Sequence, residues 1–186
     1  METWMIVPIV GVSLLIGFVV AWVIVGKRRS KGLRRRFGTE YDLAVKATGS
    51  KSRAETDLES RTRRVDGLDI HPLSAGDHDR FAERWRSIQA SFVDNPADAV
   101  RDAERLVEEV MRARGYPVGD FDQRAADMSV DHPRFVENYR EARALALASQ
   151  RGATNTEDLR RATVHYRALF EDLLETTERR PIEVHS

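Results

Sequence analysis

The chain has no cysteine among its 186 residues, which excludes disulfide bonds, thiolate nucleophiles and zinc sites built on sulfur. The absence mildly favours a reducing compartment, because small secreted domains often depend on disulfides. Proline and glycine are also scarce, at 6 and 11 residues. The sequence lacks Gly-rich phosphate loops and the Gly-x-Ser-x-Gly turn, the common signatures of nucleotide-binding and acyl-transfer enzymes.

Metal-binding motifs are missing as well. None of the five histidines belongs to His-Glu-x-x-His or Glu-x-x-His, the helical metal spacings. Asp77 and Asp79 beside His78 are typical of a solvated first helical turn, where the dipole favours acids. Glu104 and Glu108 are spaced to share a metal or a substrate, but neighbouring arginines favour a solvated, salt-bridged face. The sequence therefore predicts no metal and no cofactor.

Charge is balanced overall but unevenly distributed. Residues 27–64 carry 13 basic and 5 acidic side chains, a net of +8, and residues 65–186 carry 17 basic and 24 acidic ones, a net of −7. A positive block followed by a negative one predicts two different environments. Nucleic acid is not expected as a partner, since the presumed domain is acidic and lipid would compete for the basic cluster.

The longest apolar run lies near the N-terminus. Residues 3–26 contain no charged side chain, and 14 residues from Trp4 to Val25 are Ile, Val, Leu or Phe. On an insertion scale such a set contributes about −4 to −8 kcal/mol, and a helix of this length spans roughly 30 Å of hydrocarbon. Trp4 and Trp22 lie near the two ends, where indole rings prefer the interface. The run predicts a transmembrane anchor over residues 1–26.

The flanks of the run predict its orientation. A signal peptide begins with positive residues, whereas here Glu2 comes first and the basic residues follow. The positive-inside rule then places the N-terminus outside and residues from 27 onward in the cytoplasm, at the plasma membrane. The side chains expected to meet anionic lipid are Lys27, Arg28, Arg29, Lys31, Arg34, Arg35 and Arg36. Ser13, Gly17 and Ala21 recur at intervals of four and predict a dimer contact, with chance spacing as the alternative.

Residues 27–66 are expected to form a basic juxtamembrane segment and polar spacer helices. An apolar stripe at helical spacing consists of Leu33, Phe37, Tyr41 and Ala44. It fits an amphipathic helix on the membrane surface, and an irregular linker is the alternative. A capping box of Ser52 and Glu55 opens a helix to about Arg64. That helix is nearly all polar, so it should bury little and act as a spacer.

A compact helical domain is predicted over residues 67–178, followed by a flexible tail at 179–186. Apolar periodicity indicates four long or medium helices and a short one, with N-caps at Ser74, Asp94, Asp120, Asp131 and Thr156. The predicted core residues are Phe81, Trp85, Phe92, Leu106, Val110, Phe135, Tyr139, Tyr166 and Phe170. The predicted fold class is therefore all-α: an N-terminal transmembrane helix, juxtamembrane polar helices and a small cytoplasmic domain of about four to five helices.

Several short segments together resemble a family of small membrane-anchored helical proteins of GC-rich bacteria. These segments are Arg36–Asp42, Asp69–Leu73, Ala82–Trp85, Ile88–Gln89, Phe92–Asp94, Gly115–Pro117, Arg124–Asp127, Ser129–Pro133, His165–Arg167 and Leu169–Phe170. The resemblance covers most of the chain from residue 36. It implies neither an activity nor site residues, because the family has no known activity.

Two classes of function remain open from the residues. An anchor, a basic collar, a spacer and a helical domain without a reactive constellation predict a non-enzymatic, membrane-tethered interaction or scaffold module whose partner is another protein. The alternative is an enzyme acting on a small molecule or lipid head group. Its candidate residues lie in the connectors and are His71, Tyr116, Arg124, Asp131 and His132. They would have to converge on one pocket.

Overall fold

The computed structural model describes Gly17 and residues 24–175, and every regular element along them is a helix. The all-α class is confirmed. No helix among these residues combines the length and the apolar character that a bilayer crossing requires. The predicted fold class is thus wrong in its transmembrane helix over residues 1–26. The described helical stretch 24–37 carries Lys27, Arg28 and Arg29, and each such charge costs about 2.5–3.5 kcal/mol at a bilayer centre.

Most of the predicted anchor, residues 1–16 and 18–23, lies outside the described residues, including Trp4, Ser13, Ala21 and Trp22, and so does the predicted tail at 179–186. After the leading stretch 24–37, the described helices are α1 Thr39–Thr48, α2 Lys51–Asp66, α3 Ala75–Ser91, α4 Pro96–Ala113, α5 Phe121–Asp131, α6 Val136–Gln150 and α7 Thr156–Glu175. Contacts divide the chain into an N-terminal unit, residues 1–59, and a C-terminal unit, residues 60–186. The division falls inside α2, whereas the sequence places the domain boundary between residues 66 and 67.

In the N-terminal unit, most of the apolar stripe is buried within the protein, and Leu33 is half-buried. Phe37, Tyr41 and Ala44 are buried, and so are Ala54 and Leu58 of α2. The prediction that the polar helix, here α2, buries little is therefore wrong. Its few apolar residues share one face at helical spacing, and that face is sufficient for packing although the rest of the helix is polar.

The capping box predicted at Ser52 is also wrong. The helix begins at Lys51, and the N–H of Ala54 bonds to the carbonyl of Ser50 at 2.9 Å. Glu55 is buried rather than reaching back to the helix start. Its carboxylate instead accepts hydrogen bonds from the hydroxyls of Ser30 and Tyr41 in a buried environment.

In the C-terminal unit, α7 packs most extensively against α6 and α4, and α3 packs against α4. The predicted core residues are buried except for Phe92 and Phe135, which are half-buried against the same cluster. Trp85 of α3 stacks on Phe170 of α7 with ring centroids 4.8 Å apart. The five helices from α3 to α7, with α5 the shortest, match the predicted number.

Two of the predicted caps are confirmed. Ser74 accepts a hydrogen bond from the N–H of Asp77, and Asp120 accepts from the N–H groups of Asp122 and Gln123. These caps satisfy N–H groups that have no partner within the helix.

Three predicted caps are wrong. Asn95, not Asp94, accepts from the N–H of residue 98, because it directly precedes the proline in the first turn of α4. Asn155, not Thr156, accepts from the N–H of residue 158. Asp131 opens no helix, because it is the last residue of α5, and α6 begins at Val136 after the N-cap Phe135.

Candidate functional site

The five residues of the predicted polar site come together only in part. Tyr116, Asp131 and His132 meet beyond the end of α5. Arg124 belongs to a second buried cluster, and His71 lies exposed in the connector before α3, with its ring nitrogen 3.2 Å from the carbonyl oxygen of the next residue. The single pocket required by the enzyme alternative is therefore only partly assembled.

A chain of hydrogen bonds links Tyr116, His132 and Asp172. The hydroxyl of Tyr116 lies 3.0 Å from Oδ2 of Asp131 and 3.3 Å from Nε2 of His132. Nδ1 of His132 is bonded to Asp172 in the last turns of α7. Because Tyr116 follows the turn at Gly115 and His132 follows α5, these contacts join three separate parts of the bundle.

The number of available protons limits which hydrogen bonds Tyr116, His132 and Asp172 can form at the same time. The Tyr116 hydroxyl has one proton, and Asp172 accepts the proton on Nδ1 of His132. If Tyr116 donates to Asp131, then Nε2 of His132 must donate to the tyrosine oxygen, and the imidazole is cationic. If the imidazole is neutral, Nε2 accepts the tyrosine proton instead. The arrangement can hold or relay a proton between two carboxylates, and it also fixes three segments relative to one another.

Arg124 is the centre of a second polar cluster. Its guanidinium contacts Oε1 of Glu108 at 2.7 Å, the hydroxyl of Tyr139 at 3.1 Å and the carbonyl of Gly119 at 2.6 Å. Burial opposes the charge of Arg124, but its contacts with Tyr139 and the acids of α4 outweigh that effect and raise its pKa. The cation is therefore retained inside the bundle, where it joins α4, α5 and α6.

The neighbouring acid of α4 is also engaged across the bundle. Glu104 pairs with Arg143 of α6, whose guanidinium lies over the ring of Phe121 at 5.7 Å. Glu104 and Glu108 are therefore salt-bridged as predicted, but their partners lie on other helices, and the predicted solvated face is wrong for Glu104, which is buried. Tyr166 packs edge-on against Tyr139 at 6.5 Å, and burial raises the pKa of both hydroxyls. Among the described residues the Tyr166 hydroxyl has no hydrogen-bond partner.

The acidic side chains of these clusters pair with other side chains of the protein. Within the described part of the chain, no three acidic or histidine side chains are arranged to hold an ion. Each carboxylate named above is paired with an arginine, a histidine or a tyrosine. Their common effect is to connect helices through buried, directional contacts.

The basic residues predicted to meet lipid occupy different surroundings. Those lining an open cleft of about 370 Å³ in the N-terminal unit are Lys27, Lys31 and Arg34. Arg29 instead pairs with Glu59 of α2. Arg28, Arg35 and Arg36 are exposed and do not line this cleft.

A second open cleft, of about 400 Å³, runs between α3 and α4 in the C-terminal unit. Its lining residues are Arg84, Ser87, Ile88, Asp102, Arg105 and Glu109. They lie at i, i+3 and i+4 on α3 and at i, i+3 and i+7 on α4, so each helix contributes one edge. Ile88 is buried at the base, and the charged side chains are partly exposed around it.

Comparison of the chain with protein-family models, with curated proteins and with solved structures gives no match. The resemblance to membrane-anchored helical proteins therefore stays a prediction.

Proposed function

We propose that this chain is a non-enzymatic helical interaction module that binds a helical segment of another protein in the groove between α3 and α4. The observation that carries the proposal is the composition of that groove, in which Ile88 lies between two charged helix edges. An apolar base with a polar rim is the usual anatomy of a protein interface. A groove between two helices accommodates the apolar face of a third.

The buried polar links support the same function. Arg124 with Glu108 joins α4 to α5, and His132, at the end of α5, contacts Asp172 of α7. Such contacts fix the helices before a partner arrives, so less ordering cost accompanies binding. A fixed groove is better suited to a specific partner than a surface that must first assemble.

The rim charges favour a particular kind of partner. Arg84 pairs with Glu109, and Arg105 pairs with Asp102, so both signs occur along the groove. The hydrogen bond from Arg84 lowers the pKa of Glu109, so the acid is favoured in its charged form beside the guanidinium. A partner helix with both acidic and basic residues at the edges of its apolar face would complement this rim. The same rim would disfavour helices that carry charges of a single sign.

Site-specific photo-crosslinking in the cells that make the protein tests this proposal. A crosslinking amino acid placed at Ser87 should give a discrete adduct with another protein. The same amino acid at Gln89, exposed on α3 but outside the groove, should not. Adding Arg105→Glu should weaken the adduct at position 87. Equal adducts at both positions, or none at either, would contradict the proposal.

An enzyme remains the second candidate because of one observation. The order Tyr116, His132, Asp172 matches a nucleophile, its base and the group that orients the base. Tyr116 and His132 are buried, however, and the two clefts described above are lined by other residues. Hydrolysis of a panel of activated esters and phosphate esters by wild type, and its loss in Tyr116→Phe, would support the enzyme. Equal rates for both proteins would exclude this use of Tyr116.

A further inference from the structure

The basic cleft of the N-terminal unit is built on one side of the leading stretch 24–37. Lys27, Ser30, Lys31 and Arg34 follow at i, i+3, i+4 and i+7, so a single helical face supplies them. Residues of α1 form the opposite wall, and the first residue of α2, Lys51, completes the rim.

Three residues that line the cleft contact one buried carboxylate, that of Glu55. Glu55 accepts hydrogen bonds from the hydroxyls of Ser30 at 2.7 Å and Tyr41 at 2.8 Å. Nζ of Lys51 lies 3.8 Å from the same oxygen. Burial alone would raise the pKa of Glu55, but these hydrogen bonds and the nearby cations lower it overall. Glu55 is therefore an anion, and the hydroxyl of Ser30 also lies 3.0 Å from the carbonyl oxygen of Gly26, a second acceptor for its single proton.

The charges around the cleft do not cancel. Arg34 is paired with Asp42 at 3.0 Å, and Lys51 lies beside Glu55. Within the described residues, neither Lys27 nor Lys31 has a carboxylate within ion-pair distance. Two positive charges are left facing the opening, and an anion of charge about −2 would neutralise them.

The remaining wall is apolar enough to meet an organic group. Val45 and the ring of Tyr41 line it, and the guanidinium of Arg34 lies 5.8 Å from the centre of that ring. The volume of about 370 Å³ lies within the range of small-molecule sites and exceeds the needs of a bare phosphate ion.

We propose that this cleft binds the phosphomonoester of a small organic molecule or of a lipid head group, with Lys27 and Lys31 neutralising the phosphate. Lysines act as point charges toward phosphate and require no fixed fork geometry. Val45 and Tyr41 contact the carbon atoms next to the phosphate. This site is separate from the α3–α4 groove and does not depend on its function.

Calorimetric titration of the full chain in zwitterionic detergent micelles tests the site and separates the two sources of phosphate. Glycerol 3-phosphate is the soluble probe, and short-chain phosphatidic acid in the same micelles is the lipid probe. The test variant is Lys27→Gln with Lys31→Gln. The matched control is Arg28→Gln with Arg35→Gln, which removes the same charge from the same helical stretch outside the cleft.

We expect the lysine variant to weaken binding by about tenfold or more, because each lost cation near a phosphate is worth roughly a factor of five. The arginine control should change binding by about twofold or less at 0.15 M salt, where exposed charges are largely screened. Binding of both probes identifies a soluble phosphomonoester site, and binding of phosphatidic acid alone identifies a lipid site. Equal losses in the two variants, or no binding of either probe, would overturn the proposal.

Discussion

Nε of Arg64 donates a hydrogen bond to Oδ1 of Asp127 at 2.7 Å, joining α2 to α5 across 63 positions of sequence. The Asp127 side chain is 1% exposed and that of Arg64 is 39% exposed. Gln123 donates to the same oxygen at 2.9 Å, whereas Oδ2 has no partner among the described residues. The buried carboxylate therefore relies on two donors to offset the cost of leaving water.

Replacing the outer partner should consequently be costly. Arg64→Gln removes the cation that pairs with this carboxylate, and we expect a loss of about 1–3 kcal/mol in the free energy of unfolding. Arg63→Gln, at an exposed neighbouring position, should change it by less than about 0.5 kcal/mol. Chemical denaturation would measure both. If Arg64→Gln costs as much in the Asp127→Asn background as in wild type, the two side chains are not coupled.

The contact between His132 and Asp172 should likewise contribute to the free energy of unfolding at the end of α7. His132→Gln leaves Asp172 without its imidazole donor, and we expect a loss of about 1–3 kcal/mol. His165→Gln is the matched control, because His165 meets Glu141 at 3.0 Å on a more exposed part of the same helix. That exposed pair should contribute about 0–1 kcal/mol. Similar losses at the two histidines would contradict a special role for His132.

The two buried tyrosines should respond in opposite ways to loss of the hydroxyl. Tyr139→Phe removes an acceptor from Arg124, so stability should fall by about 1–2 kcal/mol. Tyr166→Phe removes a buried hydroxyl without a partner among the described residues, so stability should be unchanged or rise by about 1 kcal/mol. Thermal unfolding compares the pair directly. A loss in Tyr166→Phe equal to that in Tyr139→Phe would indicate an unseen partner, such as a buried water.

Gly115 is the glycine whose replacement should be most damaging. Its φ is +90°, and an added Cβ would lie 2.1 Å from the carbonyl oxygen of Asp69. Gly115→Ala should cost at least about 2 kcal/mol, because backbone must move to relieve the overlap. Gly119→Ala, whose Cβ meets nothing within 4 Å among the described residues, should change stability by less than about 1 kcal/mol. Equal effects on the midpoint of urea unfolding would show that the turn adjusts without cost.

Glu55 should make the N-terminal unit sensitive to acid. Its folded-state pKa is depressed below the unfolded value, so its stabilising contribution is fully present above the unfolded pKa of about 4.3 and is lost as pH falls through the folded pKa. The protection factors of α1 amides, which correct for slower intrinsic exchange in acid, should therefore fall below about pH 4. Glu55→Gln should weaken that dependence, whereas Glu59→Gln, at the more exposed pair with Arg29, should retain it. Identical pH profiles in all three proteins would contradict this assignment.

The helices themselves were largely predictable, because periodic apolar residues and side-chain caps are local signals. Ser74 and Asp120 act through N–H groups two or three residues away, so their role is readable in sequence. The prediction that α2 buries little was wrong for a physical reason. Ala54, Leu58 and Val65 are too few to give a strong apolar moment, yet all three are buried at 0% exposure. Whether such a polar helix is buried depends on tertiary packing, which the periodicity of the sequence does not report.

The site was harder to predict, because its contacts are long-range. The sequence suggested Tyr116, Asp131 and His132 as polar connector residues, but nothing local connects His132 to Asp172, 40 positions away. Arg124 was grouped with them because it also lies near a connector, and the fold places it with Glu108 and Tyr139 instead. The basic run was likewise read as a single surface. Lys27 and Lys31 line the cleft and Arg28 and Arg35 do not, because the two pairs lie on different sides of the same helix.

The stacking of Trp85 on Phe170 has a spectroscopic consequence. Its indole N–H meets no acceptor among the described residues, and the ring is almost entirely removed from water. Emission from this indole should therefore lie at short wavelength while α3 and α7 are packed, and it should move to the red when they separate. With Trp4→Phe and Trp22→Phe, Trp85 is the chain's single tryptophan and an intrinsic optical probe of the C-terminal bundle.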